Sequence, residues 1–296
     1  MGDVAMTVPV IASFLQQYPN VHITMLSHPR LKTIFPIADN FTFVAVDTKK
    51  EFAGNFGMVK LFRKLRKEKK YDAMIDLHDV LRSKLLRSLY KITGTPIYTI
   101  DKGRKEKKEL TQEEKKVMVP LKSSIQRYAE VFEKAGYPIR LENPAPYKIN
   151  ASESISEDLN TLLQSTKQTI GIAPFAQHKG KIYPLNKMEK VVAQLSGREN
   201  TQIFLFGGGE AEKKQLEEWS QKYPNTLSLA GKFSLNEELS LLQHCRVVIT
   251  MDSANMHLAS LVGTPVVSIW GATHPYAGFY GYPYDEGRLL AAFLLC

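Results

Sequence analysis

The 296-residue chain has very little cysteine, only Cys245 and Cys296. Two thiols cannot build a disulfide scaffold, and no CxxC pair offers the spacing of a structural zinc site. Sparse cysteine makes the reducing cytoplasm the default compartment. Long apolar runs are missing as well. The longest, the tail Leu289–Cys296, is far too short to span a bilayer. Met1 to Thr7 carry neither a basic segment nor an apolar core, so no signal peptide is expected. Acid is in deficit: 30 Asp and Glu face 39 Lys and Arg, a formal charge of +9. That balance calls for an anionic partner, whether nucleic acid, a phosphorylated small molecule or an anionic membrane surface. No RNP, helix-turn-helix or zinc-finger pattern accompanies the charge, so nucleic acid is not expected.

What is present is an ordinary globular composition, 44% hydrophobic and 23% charged, in a length that predicts two domains. Short β-rich runs alternate with helical patterns. Strands are read at Val21–Ser27, Phe41–Val46, Tyr71–Leu77, Pro96–Ile100, Thr169–Pro174, Thr201–Phe206, Val247–Met251 and Pro265–Trp270. Most are continuous apolar runs, the mark of strands buried on both faces of a parallel sheet. Pro9 opens a helix, Asn186 is read as the cap of another that stops at Gly197, and Ser234 with Glu237 has the form of a capping box. Ser253 is read as the cap of a helix running to Gly263. The fold class is therefore α/β, with two Rossmann-like doubly wound domains facing across a cleft. Their spans are 1–145 and 165–296, with a linker at about 141–167 containing Pro144 and Pro146.

Three segments fall where strands end, the edge at which such sheets bind ligands, and a fourth opens the chain. The run Val247–Met251 stops at Asp252, and Ser253, Ala254 and Asn255 then open a helix. Open amides and a positive dipole end suit a phosphate or diphosphate, and His257 falls on the first turn. Equally, Asp252 could simply cap the helix. Phe206-Gly207-Gly208-Gly209 is a strand running into a glycine turn, but it is neither a P-loop nor GxGxxG. The loop after Pro174 carries His178, Lys179 and Lys181, cations that could meet a diphosphate leaving group or only solvent. Gly2-Asp3 directly before a helix could place a carboxylate in the cleft as a general base, or could be a cap. Lys60–Lys70 holds seven basic residues and one acid; Asp101–Lys116 holds seven and five. Each reads as a solvated helix face or as a contact to an anionic membrane or acceptor.

In this order and spacing the segments resemble glycosyltransferase family nine, the lipopolysaccharide heptosyltransferase-like proteins. The matching stretches are Gly2–Pro9, Tyr71–His78, Ile170–Pro184, Phe206–Glu212, Asp252–His257 and Gly263–Thr273. Asp-Ser-x-x-x-His and Gly-Thr-Pro are fairly specific as a pair. The resemblance implies two Rossmann-like domains of the GT-B type, an acceptor-side N-terminal one and a nucleotide-sugar-binding C-terminal one. It implies a glycosyltransferase without metal or cofactor that moves heptose from ADP-heptose, with inversion, onto the lipopolysaccharide core or a lipid-linked acceptor. Asp3 then matches the catalytic base, and Lys181 the lysine that pairs with donor phosphate. Asp252 with Ser253, Ala254 and Asn255 matches the donor-binding turn, and His257 its histidine. Glu212 matches a glutamate near the adenosine, with Glu210 as the competing alignment. Peripheral contact at the inner face of the membrane is implied by such an acceptor.

Two departures are visible. The family has a β-strand before its Gly-Asp turn, whereas here Met1 stands directly before Gly2, so that first strand is expected to be missing and Asp3 unanchored. After Tyr280 the likeness fades into a hydrophobic tail. Two other readings stay open: a related glycosyltransferase using another sugar nucleotide, or a truncated, non-catalytic nucleotide-binding fragment.

Overall fold

In the computed structural model, which describes residues 1–112, 118–141, 156–282 and 289–293, contacts divide the chain into two units. One is Thr7–Glu142; the other joins Met1–Met6 to Asn143–Cys296. The opening helix α1 (Gly2–Ala5) therefore groups with the C-terminal unit, although it lies inside the 1–145 span expected of the N-terminal domain. Among the described residues no helix is long and apolar enough to cross a membrane.

The first unit runs α2 (Val8–Gln17), β1 (Ile23–Ser27), β2 (Phe41–Ala45), α3 (Gly54–Glu68), β3 (Met74–Asp76), α4 (Leu81–Ile92), β4 (Ile97–Thr99), α5 (Arg104–Thr111) and α6 (Ser124–Lys134). Pro9 sits in the first turn of α2, where its missing N–H costs nothing, and Val10, Ile11, Phe14 and Leu15 are buried. Phe14 meets Phe132 of α6 and Tyr137 beyond it. All four expected strands form, but as two separate parallel pairs, β1 with β2 and β3 with β4. Their residues are mostly half-buried, because neither pair is covered as an internal strand of one wide sheet would be. A second core lies between α3 and α4, where Phe52, Met58, Leu61, Leu65, Leu86 and Tyr90 pack together.

The second unit continues α7 (Glu157–Leu163), β5 (Gln168–Ala173), α8 (Leu185–Ser196), β6 (Thr201–Leu205), α9 (Glu210–Lys222), β7 (Thr226–Ser228), α10 (Leu235–His244), β8 (Val247–Met251), α11 (Ala254–Leu261), β9 (Val266–Trp270) and β10 (Leu289–Phe293). Its six described strands form one parallel sheet in the order β10-β9-β8-β5-β6-β7. Counted from β5 as the first strand, this is the 3-2-1-4-5-6 order of a dinucleotide-binding sheet. The chain builds outward from β5 to β7, then returns to place β8 on β5's other side. Between β5 and β8 lies the switch point. Ile172, Ile203, Leu205 and Met251 from the strands meet Met188, Val192, Leu216 and Trp219 from the helices in the core.

Several expectations are revised. The linker read at 141–167 contains α7 in its second half, while residues 142–155, with Pro144 and Pro146, lie outside the described residues. So do 113–117 of the mixed-charge stretch, and 283–288 and 294–296 of the tail, Cys296 included. The tail residues Leu289–Phe293 pair in parallel with β9 as the sheet's edge strand. The three-residue β7 is too short to announce itself in the sequence. Asn186 is not a cap: α8 starts at Leu185, and Pro184 holds the cap position. Ser234 and Glu237 do form their capping box, Oγ of Ser234 accepting from Glu237 N while Glu237 Oε2 accepts from Ser234 N at 2.9 Å. Replacing that hydroxyl, Ser234→Ala, is expected to cost about 1 kcal/mol in urea unfolding.

Candidate active site at the carboxyl edge of the six-stranded sheet

Parallel strands deliver their loops to one edge, and four neighbouring loops of the second unit meet there. They follow β5, β6, β8 and β9. Together with α1 they enclose a concavity of about 630 Å³, a size suited to a nucleotide-scale ligand. Asp3, Lys181, Glu212, Asp252, Ser253, Ala254, Asn255 and His257 all line it. All eight candidate residues, drawn from four separate stretches of the chain, therefore share one cavity.

Its central contact bridges the switch point. Lys181, on the loop after β5, donates from Nζ to Asp252 Oδ2 at 2.6 Å. Asp252 follows β8, whose Thr250 and Met251 are fully buried, and is itself only 6% exposed. A charge that deep must be paired. Thr273 supplies a second donor, its Oγ1 lying 2.7 Å from the same oxygen. Thr273 belongs to the loop after β9, and that loop is tied to the lysine loop by Ala272 N donating to Gly180 O at 2.8 Å. One carboxylate oxygen thus joins three loops. Thr273 closes the Gly263–Thr273 stretch without any local sign of a role, since only folding brings it to Asp252.

Helix α11 starts beside this contact. Ser253 occupies its cap position, but its side chain makes no capping bond; the Oγ pairs with Thr250 Oγ1 at 3.2 Å instead. The first-turn amides of α11 therefore lack a side-chain cap at the cavity wall, and carry the partial positive charge of a helix start. Beside it, Glu212 in the first turn of α9 accepts through Oε2 from Gly208 N of the preceding loop at 2.8 Å. Glu212 lines the cavity, and Glu210, two residues earlier on α9, does not. Phe175 and Phe279 add apolar wall that no local pattern marked.

Asp3 is not left loose. Helix α1 packs on α11, and Gly2 lies so close to the His257 ring that a Cβ there would come within 2.7 Å of Cδ2. A glycine is what permits that approach. His257 is 7% exposed, and its Nδ1 is buried without a hydrogen-bond partner among the described residues. Burial pulls its pKa down to about 4 against the attraction of Asp252 and Asp3, with Lys181 pushing the same way as burial. The imidazole is neutral at pH 7, with one ring nitrogen a donor and the other an acceptor. Among the described residues no group of three or more His, Cys, Asp or Glu is placed to hold a metal ion. Cys245 is buried, and burial pushes its thiol pKa up, so it is an inert core residue.

The sequence model of glycosyltransferase family 9 (heptosyltransferase) matches residues 58–285. Lipopolysaccharide heptosyltransferase 3 of Escherichia coli K12 is 28% identical over 288 residues, covering 92% of this chain and 80% of that protein. Lipooligosaccharide heptosyltransferase 2 of Haemophilus influenzae is 32% identical over 165 residues, 51% of this chain and 47% of that one. Among solved structures, a family 9 glycosyl transferase from Veillonella parvula superposes with a TM-score of 0.73 at 19% identity, covering 99% of this chain and 84% of that one. The E. coli heptosyltransferase WaaC with ADP gives 0.69 at 18%, covering 99% and 90%. The fold is that of the GT-B-like transferases. The chain belongs to glycosyltransferase family 9, the heptosyltransferases.

Two outcomes test the site as built. Thr273→Val strips a buried carboxylate of one donor and is expected to lower stability by about 2 kcal/mol, while Thr273→Ser, which keeps the hydroxyl, should recover most of it in urea unfolding. His257 carries the second. Its folded pKa of about 4 lies below the unfolded 6.5, so between those values the unfolded chain binds more protons. Stability contributed by the neutral ring is complete above pH 6.5 and is lost as pH falls through 4, by about 3 kcal/mol in total. In His257→Gln that part of the acid limb should disappear from a stability-against-pH series.

Proposed function

We propose that the protein transfers heptose from ADP-heptose to a lipopolysaccharide core or lipid-linked acceptor, inverting the anomeric centre. One observation supports this above all others. The lysine, the buried carboxylate, the opening of α11, His257 and the Asp3 carboxylate share a single nucleotide-sized cavity at the switch point of a dinucleotide-type sheet. The relatives named above are lipopolysaccharide and lipooligosaccharide heptosyltransferases.

The chemistry divides among these residues. Lys181 and the amides at Ser253, Ala254 and Asn255 would take the diphosphate, stabilising the charge that grows on it as the glycosidic C–O bond breaks. Glu212 would hold the adenosine end. Neutral His257 offers a hydrogen bond without adding charge. Asp3 would accept the proton of the acceptor hydroxyl as its oxygen bonds to the anomeric carbon. The electron pair of the broken bond leaves with ADP, so a single displacement inverts configuration. Lysine and helix amides supply the positive charge in this scheme, and we assign no metal or cofactor to the reaction. The unit Thr7–Glu142 is assigned to the acceptor side, and the protein to the cytoplasmic face of the inner membrane.

Asp3→Asn is expected to lower kcat by about 10²- to 10⁴-fold while leaving the dissociation constant of ADP-heptose near that of the wild type. The measurement is transfer assayed with and without EDTA, alongside calorimetric binding of ADP-heptose and other sugar nucleotides. Wild-type turnover by the variant would remove Asp3 from the mechanism. Equal affinity for all sugar nucleotides would remove the heptose assignment, and loss of activity in EDTA would return a metal to the reaction.

A further inference from the structure

The positive charge is not where the nucleotide is proposed to bind. Thr7–Glu142 contains 26 Lys and Arg against 15 Asp and Glu, a balance of +11, and the remaining residues contain 13 against 15, a balance of −2. The unit holding the diphosphate cavity is therefore slightly acidic, and the entire excess sits on the other. A donor nucleotide does not account for it.

Helix α3 is where that excess is most ordered. Its inner face, Met58, Leu61 and Leu65, is buried against Phe52, Leu86 and Tyr90. Gly57 lies directly on the Phe52 backbone, where a Cβ would come within 2.1 Å of the carbonyl carbon, and this fixes the rotation of the first turn. Phe56 is thereby turned outward and is 91% exposed. Along the outer face Phe56, Lys60, Arg63, Lys64 and Lys67 stand at steps of three and four residues, with Arg63 and Lys64 side by side, so they form a single stripe. All four cations are exposed. Lys60 meets Glu51 at 3.3 Å, but both ends of that pair are open to water and hold each other weakly. Lys69 and Lys70 extend the charge past the helix end. An exposed phenylalanine at the head of a cationic stripe is the pairing of apolar and basic groups with which a helix lies at a lipid surface.

We propose that the outer face of α3 docks the protein on an anionic lipid bilayer, with Phe56 entering the headgroup–acyl boundary and Lys60, Arg63, Lys64 and Lys67 paired with lipid phosphates. This deepens the lipid-linked acceptor of the proposed function, since it states how the enzyme would reach a substrate confined to a surface. The aliphatic stems of the lysines can lie along the boundary while their ammonium groups stay among the phosphates. Each cation near such a surface adds attraction that salt weakens.

The test is sedimentation of the full-length protein with vesicles of phosphatidylglycerol and phosphatidylcholine, against vesicles of phosphatidylcholine alone. Binding is expected on the anionic vesicles, and to fall with salt. Lys60→Glu with Lys64→Glu should weaken it at least about tenfold, whereas Lys105→Glu with Lys108→Glu, which makes the same charge change on α5, should weaken it by less than about threefold. Phe56→Trp should show blue-shifted emission on the vesicles, a signal distinct from Trp219 and Trp270, both of which are buried. Equal losses in the two double variants, unshifted emission from vesicle-bound Phe56→Trp protein, or no binding by the wild type would each overturn the proposal. Thermal unfolding of each variant reports its fold, and donor binding measured without vesicles keeps a failure of the sugar-nucleotide reading separate.

Discussion

The architecture of the second unit converges on one buried ion pair. Asp252 ends a strand whose neighbours exclude water, so its charge must be answered by donors that reach into the sheet edge. Lys181 reaches it from across the switch point, and Thr273 from the strand on the other side. Satisfying this one oxygen sets the course of three loops, and their course sets the cavity. In the proposed reaction the same lysine turns its charge toward a diphosphate. Thr273 then remains as a donor to the buried carboxylate.

The two units differ in how they are held. The six-stranded sheet buries its inner strands on both faces and carries most of the large side chains of its core between strands and helices. The first unit has two short strand pairs and relies more on helix packing, α2 against α6 and α3 against α4. They also differ in charge, and under the proposals above that division separates two roles which the total of +9 merges. The nucleotide end needs a few positioned cations in a low-dielectric site. A membrane surface instead rewards many exposed cations acting together.

Much of this was legible beforehand because it is local. Short β-rich runs marked eight of the ten described strands, most plainly in the six-stranded sheet, since a strand buried on both faces leaves no polar face to interrupt it. The capping box at Ser234 was readable because both of its bonds close within four residues. Asp252 could be placed at the end of a strand, and Ser253 at the start of a helix, from adjacent residues alone. The short β7 and the edge strand β10 were missed for the opposite reason. Their pairing partners, not their composition, make them strands. The helix start assigned to Asn186 failed because Pro184 already ends the preceding backbone conformation two residues earlier.

The amino-acid order by itself determined the alternation of strands and helices, the kinds of chemical group at each loop and the surplus of positive charge, because each depends on neighbours within a few residues. Folding alone decided that Lys181 and Thr273 share one oxygen of Asp252, that Gly2 seats Asp3 beside His257, and that Phe56 points away from the core. Those outcomes depend on which strands become neighbours and on how closely two backbones approach. A chain read one residue after another contains neither quantity.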